Sequence, residues 1–185
     1  DHSGKLRFTE SITRELVYDR LTRKALVQLH GALAQAMERS AQRDELPAED
    51  IGEHFAKGQF QGKALDWFDR ALEQAANTVD TARTARILRR SCEVARAHLA
   101  GPNSKDAVRR LTAYTLHLGE ALIASGELAD IESLTSEGLG YAHKLDDLPL
   151  LGQLQRARGR GRIAAGHLDT GMDDLNQALQ IAHGL

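Results

Sequence analysis

What this chain has little of narrows its class before any motif does. Cys92 is its one cysteine, which rules out an intrachain disulfide and a cysteine-based zinc site. A reducing, cytoplasmic setting is the expectation that follows. Three prolines in 185 residues leave long stretches free to stay helical. Aromatic residues make up 4%, too few for a row of base-stacking platforms. The formal charge of −2 argues against a globally basic nucleic-acid binder. No apolar run approaches the roughly 20 residues of a membrane-spanning helix, and no signal peptide is visible. The first residue is Asp1 rather than Met, so the chain is expected to be a piece of a longer polypeptide.

What is present is Ala, Leu and charge. Hydrophobic residues make up 42%, and Ala and Leu, which supply most of them, lose little on entering a helix. Turn signals cut the chain into about nine helical segments. A short strand is expected over 5–9 and helices over about 11–21, 22–40, 48–57, 62–76, 78–99, 104–125, 129–144, 147–165 and 168–183. Thr22 and Ser104 are expected N-caps, and Pro149 fits the first turn of its helix. Breaks this short make successive helices antiparallel neighbours.

The pairs repeat. "IGEHF" supplies Gly52 and Phe55, and "ALDWF" supplies Ala64 and Phe68. "LGEAL" brings Gly119 and then Gly126; Gly159, Gly166, Leu175 and Ala178 recur at matching offsets. A small residue in the first helix lets a large residue of the second approach its backbone, and a glycine ending the first helix suits a left-handed turn. In the second copy Ile131 and Thr135 replace the expected Ala and Phe. This pattern resembles the tetratricopeptide family over roughly 48–183. The resemblance implies an all-α fold of antiparallel helix pairs, stacked as an irregular right-handed superhelix. Residues 1–45 then form a preceding segment and connecting helix, and residues 46–185 the repeats.

A second resemblance lies near the start. Phe8, Arg14, Glu15 and Tyr18, then Leu29 and His30, are similar to a segment of bacterial signal-transduction ATPases, among them relatives of the maltose-operon activator. Glu10 stands where that family has His. In the family this segment closes a winged-helix-like module and leads into helical repeats. The resemblance implies that an ATPase module precedes this chain, which would act as its sensor or interaction arm.

Catalytic signatures are incomplete. A phosphate loop needs G-x-x-x-x-G-K-[ST] after a strand. Gly58, Gly62 and Lys63 are one residue short of it, and Gly138 with Lys144 lacks the second glycine and the hydroxyl. The eight histidines are scattered without ligand spacing. Glu53 and His54 are adjacent on a helix and point about 100° apart, so they do not face one site. His30 is expected to pack on or cap a neighbouring helix. Cys92 lies among Ile87, Leu88, Val94 and Ala95 and is expected to be a buried hydrophobe. Arg89 and Arg90 nearby are the one argument for a reactive thiol. The pairs Asp146-Asp147 and Asp173-Asp174 are expected to serve helix N-termini.

"GRGRIAAG", residues 159–166, looks like a phosphate cradle and reads better as helix. Gly152, Gly159 and Gly166 fall on one face with Gln155 and Ile163, while Gly161 points elsewhere. Two arginine rows remain: Arg83, Arg86, Arg89 and Arg90 on the fifth expected helix, and Arg156, Arg158, Arg160 and Arg162 on the eighth. The plain reading is solvated faces paired with carboxylates. The functional one is a groove for an acidic or phosphorylated peptide, with Arg86, Arg90, Arg156 and Arg160 as contacts and Trp67 as an anchor. The expectation is therefore a non-enzymatic scaffold without cofactor or metal, binding a protein, a peptide or another domain of its own polypeptide. The alternative is a helical-repeat nucleic-acid binder using both arginine rows.

Overall fold

The computed structural model describes residues 18–41, 47–76, 80–101 and 104–184. Among them lie eight helices: α1 Arg23–Ser40, α2 Ala48–Lys57, α3 Gln61–Ala76, α4 Thr81–His98, α5 Ser104–Ser125, α6 Ile131–Leu145, α7 Leu148–Ala164 and α8 Leu168–Gly184. The fold is all-α. The count is eight against about nine expected, because most of the first expected helix lies outside the described residues. So do the expected strand over 5–9 and the motif residues Phe8, Glu10, Arg14 and Glu15. No helix among the described residues is long and apolar enough to cross a membrane.

Side-chain caps fix several boundaries. Thr22 accepts a hydrogen bond from the Ala25 amide at the start of α1, Asp80 from the Arg83 amide at α4, and Asp147 from the Leu150 amide at α7. Each occupies one of the otherwise unpaired first-turn donors, worth about 1 kcal/mol. Pro149 sits in the first turn of α7, where its missing N–H costs nothing.

Each helix packs on its neighbours in the chain, and α5 also packs on α7. The main core runs from Ala34 of α1 to Leu134 of α6, and a smaller one joins Leu116, Leu139, Ala142, Leu154 and Ala157 across α5, α6 and α7. Phe55, Ala64 and Phe68 are fully buried in the first pair.

Three glycines set how closely the pairs meet. A methyl built on Gly52 would lie 2.9 Å from the Phe68 ring and 3.3 Å from the Ala64 carbonyl oxygen. On Gly119 it would lie 3.3 Å from Thr135 Cγ2, and on Gly159 3.1 Å from Leu175 Cδ2 and 2.8 Å from the Gly171 carbonyl oxygen. The facing side chain stands 16 positions on each time (52 to 68, 119 to 135, 159 to 175). Seven positions after each glycine the backbone turns left-handed, at Gln59 (φ 63°), Gly126 (φ 78°) and Gly166 (φ 90°). Gly126 and Gly166 touch nothing with an added methyl, so they act through backbone conformation rather than packing. Gln59 makes the same turn without being glycine, and the Phe60 amide closes it onto the Phe55 carbonyl at 2.9 Å. α4 carries no such glycine and stands as an odd helix between the first pair and the second.

One sequence expectation holds with a partner added, and one needs correction. Gly161 is buried and presses on Ile131 of α6, so α7 carries close-packing glycines on two faces, Gly152 and Gly159 toward α8 and Gly161 toward α6. Asp174 is no cap: it is 2% exposed and wholly engaged by side chains of α7. The looser phosphate-loop matches are helical packing too. A methyl on Gly58 would sit 2.8 Å from the Gly31 backbone of α1, and Gly138 is wedged between Thr115 and Leu154.

Candidate functional site

The first arginine row faces carboxylates. Glu49 and Glu53, one turn apart on α2, meet Arg86 and Arg90, one turn apart on α4: Arg86 Nη2 is 3.0 Å from Glu49 and Arg90 Nε 2.6 Å from Glu53. Arg90 also reaches Glu93 at 2.8 Å, and Arg83 lies 3.5 Å from Glu49. Arg89 holds Glu127 at 2.7 Å and Arg96 holds Glu137 at 2.5 Å, tying α4 to α6 and to the turn before it. Arg110 of α5 reaches back to Asp66 and Asp69 of α3. There Tyr114 donates to Asp69 at 2.6 Å. Burial raises the Asp69 pKa despite that bond and the Arg110 charge. Exposed pairs of this kind contribute about 0.2–1 kcal/mol each. Their larger effect is to occupy the guanidinium groups.

The second row divides. Arg158 binds Asp174 with two parallel hydrogen bonds, 2.9 and 2.7 Å, and Arg162 adds a third at 2.8 Å. Gln155 donates to the same carboxylate at 3.0 Å and also pairs with Gln177. Arg162 further grips Glu132 of α6, lowering that carboxyl's pKa. Among the described residues Arg156 reaches only Glu120, at 3.4 Å. Arg160 is exposed and makes no ion pair among the described residues.

Of the five expected contact residues, then, Arg86 and Arg90 are spent on α2, and Arg156 and Arg160 remain presented. Trp67 is not on an open face. It is 7% exposed, donates to Glu38 of α1 at 3.3 Å, and is covered by the Arg70 guanidinium at 4.4 Å. Cys92 is 1% exposed, and burial pushes its thiol up to about 12, with Arg96 only partly opposing. Arg89 and Arg90 point to carboxylates instead, so a reactive thiolate has no support.

One open feature has no counterpart among the sequence expectations. Between α7 and α8 runs a groove of about 330 Å³, bounded by Pro149, Gly152 and Arg156 on one side and Leu175, Ala178 and Leu179 on the other. Gly152 keeps α8 close: a methyl there would lie 3.3 Å from Ile181 Cγ2. Leu168, Met172 and Leu179 expose half or more of their surface along α8. Their spacing of four and seven was the signal available in the sequence, because it draws a stripe on the side of α8 away from Asp174.

His30 packs on the neighbouring helix as expected, and its partner there, His54, is the part that went unseen. Its Nδ1 shares a hydrogen bond with His30 Nδ1 at 2.8 Å, the rings stack at 5.0 Å, and the Tyr18 hydroxyl lies 2.7 Å from His30 Nε2. Burial, then Lys57, lowers the His30 pKa. Burial lowers that of His54 as well, followed by His30 and Lys57, with Asp50 and Glu53 opposing. Among the described residues no three metal-ligating side chains gather.

No protein-family model and no curated protein matches the chain. It is similar to a solved structure, BtubC (BKLC) from P. vanneervenii, at 14% identity and a TM-score of 0.41, over 94% of this chain and 86% of that one. A likeness so distant carries no functional argument.

Proposed function

We propose that this chain is a protein- or peptide-binding helical-repeat scaffold of the tetratricopeptide kind, the sensor or interaction arm of a larger ATP-dependent bacterial regulator in the cytoplasm. The observation that carries the reading is the recurrence of one junction: a glycine, a facing side chain 16 positions on, and a left-handed turn after seven. Repeats of this sort bury a continuous core by stacking and leave extended faces for recognition. The contact between Tyr18 and His30 joins the two pieces of the ATPase-linked motif, which favours the wider context. Binding would act by shifting the regulator between states of unequal ligand affinity. The ATP chemistry belongs, on this reading, to another part of the polypeptide. The nucleic-acid alternative loses ground because most guanidinium groups of both rows already face carboxylates.

A display screen of helical and extended peptides against the chain tests the proposal, with hits mapped by hydrogen exchange. Saturable hits that protect helix faces support it. Absence of peptide binding, together with nucleic-acid binding that weakens steeply with salt, overturns it.

A further inference from the structure

The groove between α7 and α8 has a filled counterpart in the same molecule. α7 packs on both α5 and α6. It sinks Leu154 and Ala157 onto Leu116, Leu139 and Ala142, and Gly161 onto Ile131. Ion pairs close the two edges, Arg156 to Glu120 and Arg162 to Glu132. A slot between two paired helices thus takes a third helix with a narrow apolar edge and charged flanks.

One rung identifies what the last slot wants. The residue after the first junction glycine is Glu53, and it holds Arg90 two helices on. The residue after the second is Glu120, and it holds Arg156, again two helices on. The residue after the third is Arg160, exposed and without an ion pair among the described residues. The polarity of the rung is reversed, so its complement is a carboxylate. Arg160 lies one helical turn beyond Arg156, which lines the groove, and the facing wall on α8 is apolar, Leu175, Ala178 and Leu179, the last 54% exposed.

We propose that the α7–α8 groove docks an amphipathic helix of a partner protein, which presents a carboxylate to Arg160 and a narrow apolar edge to Leu175, Ala178 and Leu179. A second copy suits the groove poorly. The exposed apolar edge of α1, Leu29 and Leu33, is accompanied by Arg23, Lys24 and Arg39 on the same helix, which would bring positive charge to Arg156 and Arg160. The proposal rests on the protein-binding reading above and narrows it to one slot and one ligand chemistry.

The test uses a fluorescein-labelled, helix-forming 18-residue peptide with a Leu/Ala edge flanked by Glu, and a matched peptide with Lys for Glu. Anisotropy of each is titrated with the full chain. The Glu peptide is expected to saturate and the Lys peptide to bind at least tenfold more weakly. Arg160→Glu should invert that preference, and Leu179→Asp, at an exposed position, should weaken both at least tenfold while circular dichroism stays unchanged. No saturable binding, or binding indifferent to both substitutions, overturns the proposal. So does a wild-type chain that sediments as a dimer and becomes a monomer on Met172→Asp, because the occupant is then a second copy. If the Glu peptide fails but screened peptides protect the α2–α4 face, the slot assignment falls and the scaffold reading stands. If neither binds, both fall.

Discussion

At the α2–α3 junction the bare backbone of Gly52 receives an aromatic ring, whereas at the α7–α8 junction Gly159 receives backbone, the carbonyl of Gly171. The first junction is lined by fully buried apolar side chains, Ile51, Phe55, Ala64 and Phe68. The last is flanked by a buried carboxylate held by Arg158, Arg162 and Gln155. The lesson is that the spacing of the repeat survives while its filling changes. A ring can give by rotating, but two backbones cannot, and a buried carboxylate must keep all its donors.

The largest expected effects fall on those fillings. Asp174→Ala leaves two guanidinium groups without their buried partner and should cost about 3–5 kcal/mol in urea unfolding. Phe68→Ala should cost about as much by opening a cavity. The two separate by relief: Phe68→Leu should recover much of its loss, and Asp174→Asn little, because Asn accepts poorly from two cations. Equal recovery at both would erase the contrast.

Next come the glycines. Gly159→Ala drives a methyl into the Gly171 carbonyl and should cost about 2–3 kcal/mol despite Ala's better helix propensity. Gly161→Ala meets only the Ile131 side chain and should cost about 1–2 kcal/mol. Thermal melts of the pair would contradict this ordering if Gly161→Ala proved the worse.

Between α1 and α2, the His30–His54 contact makes stability depend on pH. Both rings bind a proton less readily when folded than at the ordinary value near 6.5. The unfolded chain therefore takes up more protons below that value. Stability should be full above about pH 6.5 and fall as the pH drops below it. His54→Gln should flatten that slope between pH 7 and 5.5, and an unchanged slope would remove the pair as its source.

The smallest effect is a gain. Gln59 holds a left-handed turn that glycine holds in the later pairs, at a cost of about 1 kcal/mol. Gln59→Gly should stabilise by about 0.5 kcal/mol after the extra freedom of the unfolded chain is counted.

Much of this architecture was legible because local chemistry announces it. Thr22 and Asp147 cap helices where a hydroxyl and a carboxylate precede helical runs, and α2 spans the expected residues. Gly126 and Gly166 take the left-handed turns. Gln59 went unseen because its left-handed turn is marked by a backbone hydrogen bond, from the Phe60 amide to the Phe55 carbonyl, rather than by residue type. The partner of Gly161 went unseen because a helical wheel shows direction and not the neighbour waiting there. Asp174 looked like a cap because sequence distance from a helix start does not reveal a buried pair of arginines. The site was less legible for the same reason: which arginines are consumed depends on carboxylates of other helices, 16 positions away for Arg158 and Asp174 and 37 for Arg90 and Glu53.

The most direct test of the account is a pair of double-mutant cycles, Gly52→Ala with Phe68→Leu and Gly159→Ala with Leu175→Ala, measured by equilibrium unfolding. The account predicts that Phe68→Leu rescues at least half of the Gly52→Ala loss, because the obstruction is a side chain. It predicts no rescue of Gly159→Ala by Leu175→Ala, because the obstruction is the Gly171 carbonyl. Rescue at the last junction, or additivity at the first, would contradict it.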